Sequence, residues 1–306
     1  MSELTDQELI EELKKRFDQN KKSLSEVQKL NKELKEVNKK LEDSESLKSH
    51  FISNITNEII NPFSSIQGLA ESIISLKQPD WEKVNSLVSM IYYEAFQLDF
   101  QLRNIFAAAR LEAGELAPQP VKVDIRKVLE SVVDSFRYEV EKKGLTVDFQ
   151  FDIETGEDKT FYYVTDPEKV KLIIANLLSN AIKFSYEGGT IMIRVWQEQE
   201  ELRIQVKDYG TGISRENQEV IFDRFKKLDS GINSVYRGHG LGLSVNKALI
   251  DLLDGEIDIQ TSQGTGSAFT VKIPAMNSVN EDVAFDDNEM FFGRDDMFGD
   301  GQEETF

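Results

Sequence analysis

Along residues 5–50 the apolar positions form a narrow stripe between runs of Glu and Lys. Leu13, Phe17, Leu24 and Val27 follow 4-7-3 spacing, and Leu30, Leu34, Val37 and Leu41 resume with 4-3-4 spacing after a change of phase. This is a heptad pattern, and it predicts a parallel coiled coil, because a stripe so narrow on so long a helix needs a second helix to bury it. No Pro or Gly intervenes before Pro62, so the helix is expected to run on through residue 77, bent at Pro62. Gln78-Pro79-Asp80 predicts a turn. A second helix is expected from Trp81 to Glu112, with Leu87, Ile91, Leu98, Leu102, Ile105 and Phe106 at helical spacing and Ala113-Gly114 ending it. Two antiparallel helices make half a core, so pairing of two chains into a four-helix bundle is the natural solution.

From 121 to 275 the periodicity becomes mixed. Val123-Asp124-Ile125 leads into a helix expected to reach Lys143, with Gly144 capping it. Leu145–Ile153 and Phe161–Thr165 read as strands. Asp166-Pro167-Glu168 opens a helix to Phe184, with a capping residue followed by Pro at the first helical position. Thr190–Gln197 and Glu201–Lys207 alternate as a hairpin. A helix over Leu241–Leu253 and strands at Glu256–Thr261 and Ser267–Ile273 follow. The expected class is multidomain α+β. A coiled coil (1–43) and a helical hairpin (44–114) precede an α/β sandwich (121–275), whose mixed sheet is covered on one face by helices.

Composition narrows the chemistry. The chain has no cysteine and two histidines, His50 and His239, which removes disulfides, thiol catalysis and Cys- or His-rich metal centres. No stretch suits a transmembrane span or a signal peptide, and a cytoplasmic location is expected. Net charge is −19, which disfavours nucleic acid and anionic lipid and favours basic protein surfaces. Residues 276–306 are acidic and Gly-rich with scattered Phe and Met, the composition of a disordered tail.

Four segments carry candidate chemistry. Asn176, Asn180 and Lys183 are spaced four and three along one helix and share a face, where amide oxygens suit Mg²⁺ and an ammonium suits phosphate. Asp208-Tyr-Gly-Thr-Gly212 follows a strand directly, with Gly210 and Gly212 permitting close backbone approach. Ile221-Phe-Asp-Arg-Phe225 places Phe222 and Phe225 together. Gly238-His-Gly-Leu-Gly-Leu243, with Gly238, Gly240, Leu241 and Gly242, is a Gly-rich turn opening a helix, as phosphate binding favours. Gly264-Thr265-Gly266 completes the set.

In this order and spacing the segments resemble the ATP-site boxes of histidine kinases and their ATPase relatives. Phe51–Gly68 likewise resembles the phosphoacceptor box of bacterial two-component sensor histidine kinases, and the resemblance spans roughly residues 44–275. It implies ATP and Mg²⁺, with Asn180 the principal metal ligand, Asn176 beside it, Lys183 on the phosphates and Asp208 accepting from the adenine amino group. It also implies aromatic lid anchors at Phe222 and Phe225 and a pocket floor at Thr265. A Glu stands at position 176 in the hydrolytic relatives; an amide cannot act as a general base, so water should be a poor acceptor.

Asn57 stands where the family carries its phosphoacceptor histidine. An imidazole offers a nucleophilic nitrogen at neutral pH and a carboxamide does not. Glu58 and Asn61 match the acid and the water-positioning residue of the box, whereas Ile60 departs from the usual Arg. Natural divergence and a deliberate His→Asn exchange both fit. The resemblance implies a homodimer and a response-regulator receiver domain as partner. Without an acceptor, the chain is expected to act in phosphotransfer signalling without phosphorylating itself at position 57. The alternative is a pseudokinase scaffold that docks a regulator or forms a heterodimer with an active kinase.

Overall fold

The computed structural model describes residues 6–77, 80–155, 160–218, 220–222 and 241–277; within the first helix, side chains are described at 16, 17, 19–24, 26–35, 37–39 and from 59 onward. The chain divides after Asn54 into two units. The first helix, α1 (Asp6–Ile74), is continuous and contains Pro62. Within the first unit Phe17, Leu24, Val27, Leu30, Leu34 and Val37 are each at least 52% exposed, so the apolar stripe lies open along the single chain.

In the second unit, α2 (Trp81–Glu112) begins where the Asp80 side chain accepts from the Lys83 amide and stops before Gly114, at φ +67°. Its buried residues Phe96, Phe100, Asn104 and Ala107 recur at four, four and three, a single stripe. β1 (Val121–Asp124) ends because Asp124 caps the next helix, accepting from the Arg126 amide. One unbroken helix was expected there. Instead α3 (Ile125–Ser135) and α4 (Arg137–Lys142) are separated by Phe136. The Ser131 and Ser135 hydroxyls donate to the carbonyls of Val128 and Val132, a local competitor to the helical ladder. Phe136, 1% exposed, meets the rings of Phe96 and Phe100 edge-on at 5.2 and 5.7 Å. Packing against α2 holds the break.

β2 (Thr146–Asp152), β3 (Tyr162–Thr165) and α5 (Pro167–Phe184) follow, the last capped by Asp166. Then come β4 (Thr190–Glu198), β5 (Glu201–Asp208), the short α6 (Arg215–Gln218), α7 (Gly242–Leu252), β6 (Glu256–Ser262) and β7 (Gly266–Pro274). The strands form two sheets, where the sequence suggested one. β1 pairs antiparallel with β3, and the other five lie in the order β2-β4-β5-β7-β6, parallel only between β2 and β4. Capping explains the separation: Asp124 and Asp166 each turn the chain into a helix, leaving β1 and β3 four residues long. The Tyr163 hydroxyl, which donates to the Ile273 carbonyl at 2.7 Å and accepts from the Leu202 amide at 3.2 Å, pins the small sheet to the large one.

The large sheet buries one face. Ile191, Ile193 and Val195 on β4 alternate with Leu202, Ile204 and Val206 on β5, all at or below 1% exposed. Each such side chain stabilises the fold by about 1.5–3 kcal/mol relative to its exposed state. α3, α5 and α7 pack together over this face, giving the mixed-sheet α/β domain expected behind a helical N-terminal region.

Candidate functional site

Asp208 is the last residue of β5 and falls in phase with Leu202, Ile204 and Val206, so the strand's alternation carries a carboxylate to the apolar face. It is 5% exposed. Burial pushes its pKa up, while the backbone amides of Gly210 and Ser267 oppose the shift; the Gly210 amide donates to Oδ1 at 2.9 Å. The turn after it is wedged between two elements. Thr211 N donates to the Phe184 carbonyl at the end of α5, and Gly264 N in the β6–β7 turn donates to the Thr211 carbonyl. A Cβ at Gly210 would collide with the Phe184 carbonyl, and one at Gly266 (φ +94°) with the Asp208 carbonyl. Both glycines are therefore required by backbone contact alone. The Thr261 hydroxyl accepts from the Ile213 amide at 3.0 Å and steadies the same turn. Thr265 is exposed, its hydroxyl donating to Ser262.

Across from this turn runs α5. Asn176 is buried at 3% exposure, and Asn180 and Lys183 are half-buried one and two turns on. The Lys183 ammonium lies 5.1 Å from the Phe184 ring centroid. The helix end is closed by Lys143, whose Nζ donates to the carbonyls of Ile182 and Lys183 at 2.7 and 2.8 Å. Desolvation pulls that lysine's pKa down, with Glu187 opposing. Asn176 Nδ2 donates to Asn246 Oδ1 on α7 and to Asn104 Oδ1 on α2, both at 2.8 Å. Leu241 is buried beside the start of α7, and Gly242 lies against the Asn176 amide, where a Cβ would stand 3.3 Å from Oδ1.

Asn176, Leu241 and Gly242 thus meet on one side, and Asp208, Gly210 and Gly212 meet the Gly264–Gly266 turn on the other. Phe222 is half-buried. Phe225, Gly238, His239 and Gly240 lie outside the described residues, as do residues 278–306, where the tail was expected. The side chains of His50, Asn57 and Glu58 are likewise outside them; Asn61 is exposed. Among the described residues no group of three His, Asp or Glu is placed to hold a metal ion. No described helix is long and apolar enough to cross a membrane.

Asn104 and Asn246 were not singled out from the sequence. A signal existed: each falls in phase with the buried residues of its own helix, a polar group where an apolar one would pack. Glu139 was also missed. Its Oε1 accepts from Gln97 Nε2 of α2 at 2.6 Å, and its Oε2 has no hydrogen-bond partner among the described residues. Burial raises its pKa from 4.5 to about 7 against the opposing pull of its backbone bond, Gln97 and Lys142. In the folded state this carboxyl therefore holds a proton that the unfolded chain has lost. Its stabilising effect is complete below about pH 4.5 and disappears as pH rises through about 7. The Glu139→Gln variant is expected to lose this slope. The parent should give up roughly 3 kcal/mol at most relative to the variant between pH 5 and 8, measured by denaturant unfolding. Equal slopes in the two chains would refute the assignment.

Residues 165–277 match the family described as histidine kinase-, DNA gyrase B- and HSP90-like ATPase. The chain is 30% identical over 236 residues to the circadian input-output histidine kinase CikA of Synechocystis, covering 76% of this chain and 31% of that protein. It is 27% identical over 230 residues to the sensor protein SrrB of Staphylococcus aureus, covering 75% and 38%. The solved structure of full-length ShkA in complex with AMPPNP shares the fold at TM-score 0.52 and 21% identity, over 77% of this chain and 47% of that one. The chain spans about a third of the length of the curated relatives it matches. An ATPase domain of the histidine kinase type therefore lies behind a long helical region, and three quarters of the chain is similar to two-component histidine kinases.

Proposed function

We propose that the chain is a signalling protein that binds ATP with Mg²⁺ between α5 and the Asp208–Gly212 turn and does not phosphorylate itself at position 57. The observation that carries this reading is Asp208. A carboxylate on the apolar face of a sheet, bordered by glycines pressed against backbone, suits an adenine amino group better than it suits a structural core. Asn180 and Asn176 would hold the metal and Lys183 the phosphates, with Phe222, Phe225, Gly238, Gly240, Leu241, Gly242 and Thr265 enclosing the nucleotide. Bound Mg²⁺ would offset the phosphate charge. Asn176, an amide with both of its N–H protons donated, has no basic atom to activate water, so the site favours holding ATP over hydrolysing it.

The domain plan follows: a coiled-coil segment over 1–43, a hairpin over 44–114, the ATPase domain over 121–275 and an acidic tail. Exposed apolar residues of the hairpin, among them Ile60, Phe63, Val88, Tyr92 and Phe106, would be covered in a homodimer, with a response-regulator receiver domain as the further partner. Asn57 favours one second reading, a scaffold that binds nucleotide and docks a regulator or an active kinase without any transfer.

Calorimetric titration with a non-hydrolysable ATP analogue, with and without Mg²⁺, tests the function. Saturable binding is expected, and Asn180→Ala should remove most of the gain due to Mg²⁺. Absence of binding at millimolar analogue would defeat the proposal.

A further inference from the structure

Three asparagines from three elements meet where α2 lies against α5 and α7. Asn104 Nδ2 donates to the Phe100 carbonyl at 3.0 Å, and Asn246 Nδ2 to the Ile173 carbonyl at 2.9 Å. Each carbonyl forces the nitrogen of its amide toward itself, so both amide oxygens face Asn176. Asn176 Nδ2 gives one proton to each. A carboxamide has two N–H protons, and both are used. The Gly242 carbonyl at the start of α7 lies farther from the same nitrogen, at 3.4 Å, and the Asn176 oxygen lies against Gly242 as well. Asn104, Asn176 and Asn246 are 5%, 3% and 0% exposed, so water offers little substitute for a lost partner.

Two members of this node belong to the ATPase domain. The third does not: Asn104 sits on the hairpin helix, outside every nucleotide box. We propose that Asn104 is a positioning residue of the nucleotide site, which fixes the orientation of the Asn176 amide and so couples Mg²⁺-nucleotide binding to the seating of α2. This rests on the reading that the domain binds ATP with Mg²⁺.

Packing alone does not call for an amide at position 104. Phe96 and Phe100 already seat α2 against Phe136, and a leucine in the same stripe would bury as well. A leucine would, however, remove one of the two 2.8 Å acceptors and leave that Asn176 proton only the longer 3.4 Å contact with the Gly242 carbonyl, which loosens the side chain's orientation. The link is not isolated, because Arg103 on α2 also reaches Glu168 in the first turn of α5, at 3.8 Å. Coupling between two sites is reciprocal for binding free energies. Whatever seats α2 should tighten nucleotide binding, and nucleotide should seat α2.

A double-mutant cycle in the full chain tests this, reading affinity for a non-hydrolysable ATP analogue with Mg²⁺. Asn104→Ala is expected to weaken binding roughly 3- to 10-fold. In an Asn176→Ala background the same change should have almost no effect, because Asn104 acts through Asn176. Asn104→Leu, which restores buried volume, should melt no lower than Asn104→Ala yet bind as weakly. Analogue should slow amide hydrogen exchange over residues 96–107 in the parent and not in Asn104→Ala. Additive losses in the cycle, or parent-like affinity in Asn104→Leu, overturn the coupling while leaving nucleotide binding intact. If the unaltered chain binds no analogue, the nucleotide reading falls and this proposal falls with it.

Discussion

Incubated with γ-labelled ATP, the chain is expected to take up no acid-labile label, whereas its Asn57→His variant takes it up on the new imidazole. Transfer breaks the bond between the γ-phosphorus and the bridging oxygen of ADP and makes a phosphorus–nitrogen bond. The attacking nitrogen needs a lone pair, and the displaced ring proton needs a base. Asn57 supplies no lone pair, because its nitrogen is conjugated with the carbonyl. Glu58, the adjacent residue, is the base that the resemblance assigns. The difference between the two chains should be all or none, and a phosphoramidate identifies itself by being lost in acid and retained in base. Equal labelling of both would put the acceptor elsewhere. His50 would then be the first residue to test, although two helical turns displace it by about 10 Å. If neither chain labels while both bind the ATP analogue and a regulator, the scaffold reading stands.

Asp208→Asn should weaken binding of the ATP analogue by about 100-fold. The parent carboxylate offers acceptor oxygens to the Gly210 and Ser267 amides and retains acceptor capacity for an adenine amino group. An amide in its place has one oxygen, so a donor must face a donor somewhere in the cluster. Melting should suffer far less than binding. Burial raises the pKa of Asp208, so the folded state already disfavours its ionised form; that group's stabilising effect is present below its unfolded pKa and lost as pH rises through its folded one. Replacing it with a neutral group removes this cost. The same shift gives the parent an acid limb. As pH falls through the raised pKa the carboxyl gains a proton and loses acceptor capacity, so affinity should decline, a step absent from Asp208→Asn. A variant that binds within a few-fold of the parent would exclude Asp208 as the adenine contact.

Much of the architecture was legible because it rests on local chemistry. The bounds of α2 follow from Asp80 and the Ala113-Gly114 exit, and those of α5 from Asp166-Pro167. The break at Phe136 was not legible, since Asp134-Ser135-Phe136-Arg137 contains neither Pro nor Gly. What holds it is a pair of rings on α2, more than thirty residues earlier. The second sheet was hidden for a similar reason: β1 is four residues long, and only its pairing with β3 distinguishes it from a lead into α3. At the site, Asp208 and its glycines stood out as a contiguous motif. Asn104, Asn176 and Asn246 come from three segments, and no spacing rule connects them. Their relation exists only once the helices are packed.

The asparagine node also bears on how such a protein can be recombined. The obvious place to join this ATPase domain to a foreign hairpin is the stretch between Gly114 and Val121, which is free of helix and strand. A graft made there would carry Asn176 and Asn246 away from Asn104, and would likewise part Phe136 from Phe96 and Phe100. The inheritable module is therefore larger than the domain, extending back along α2 at least to Phe96.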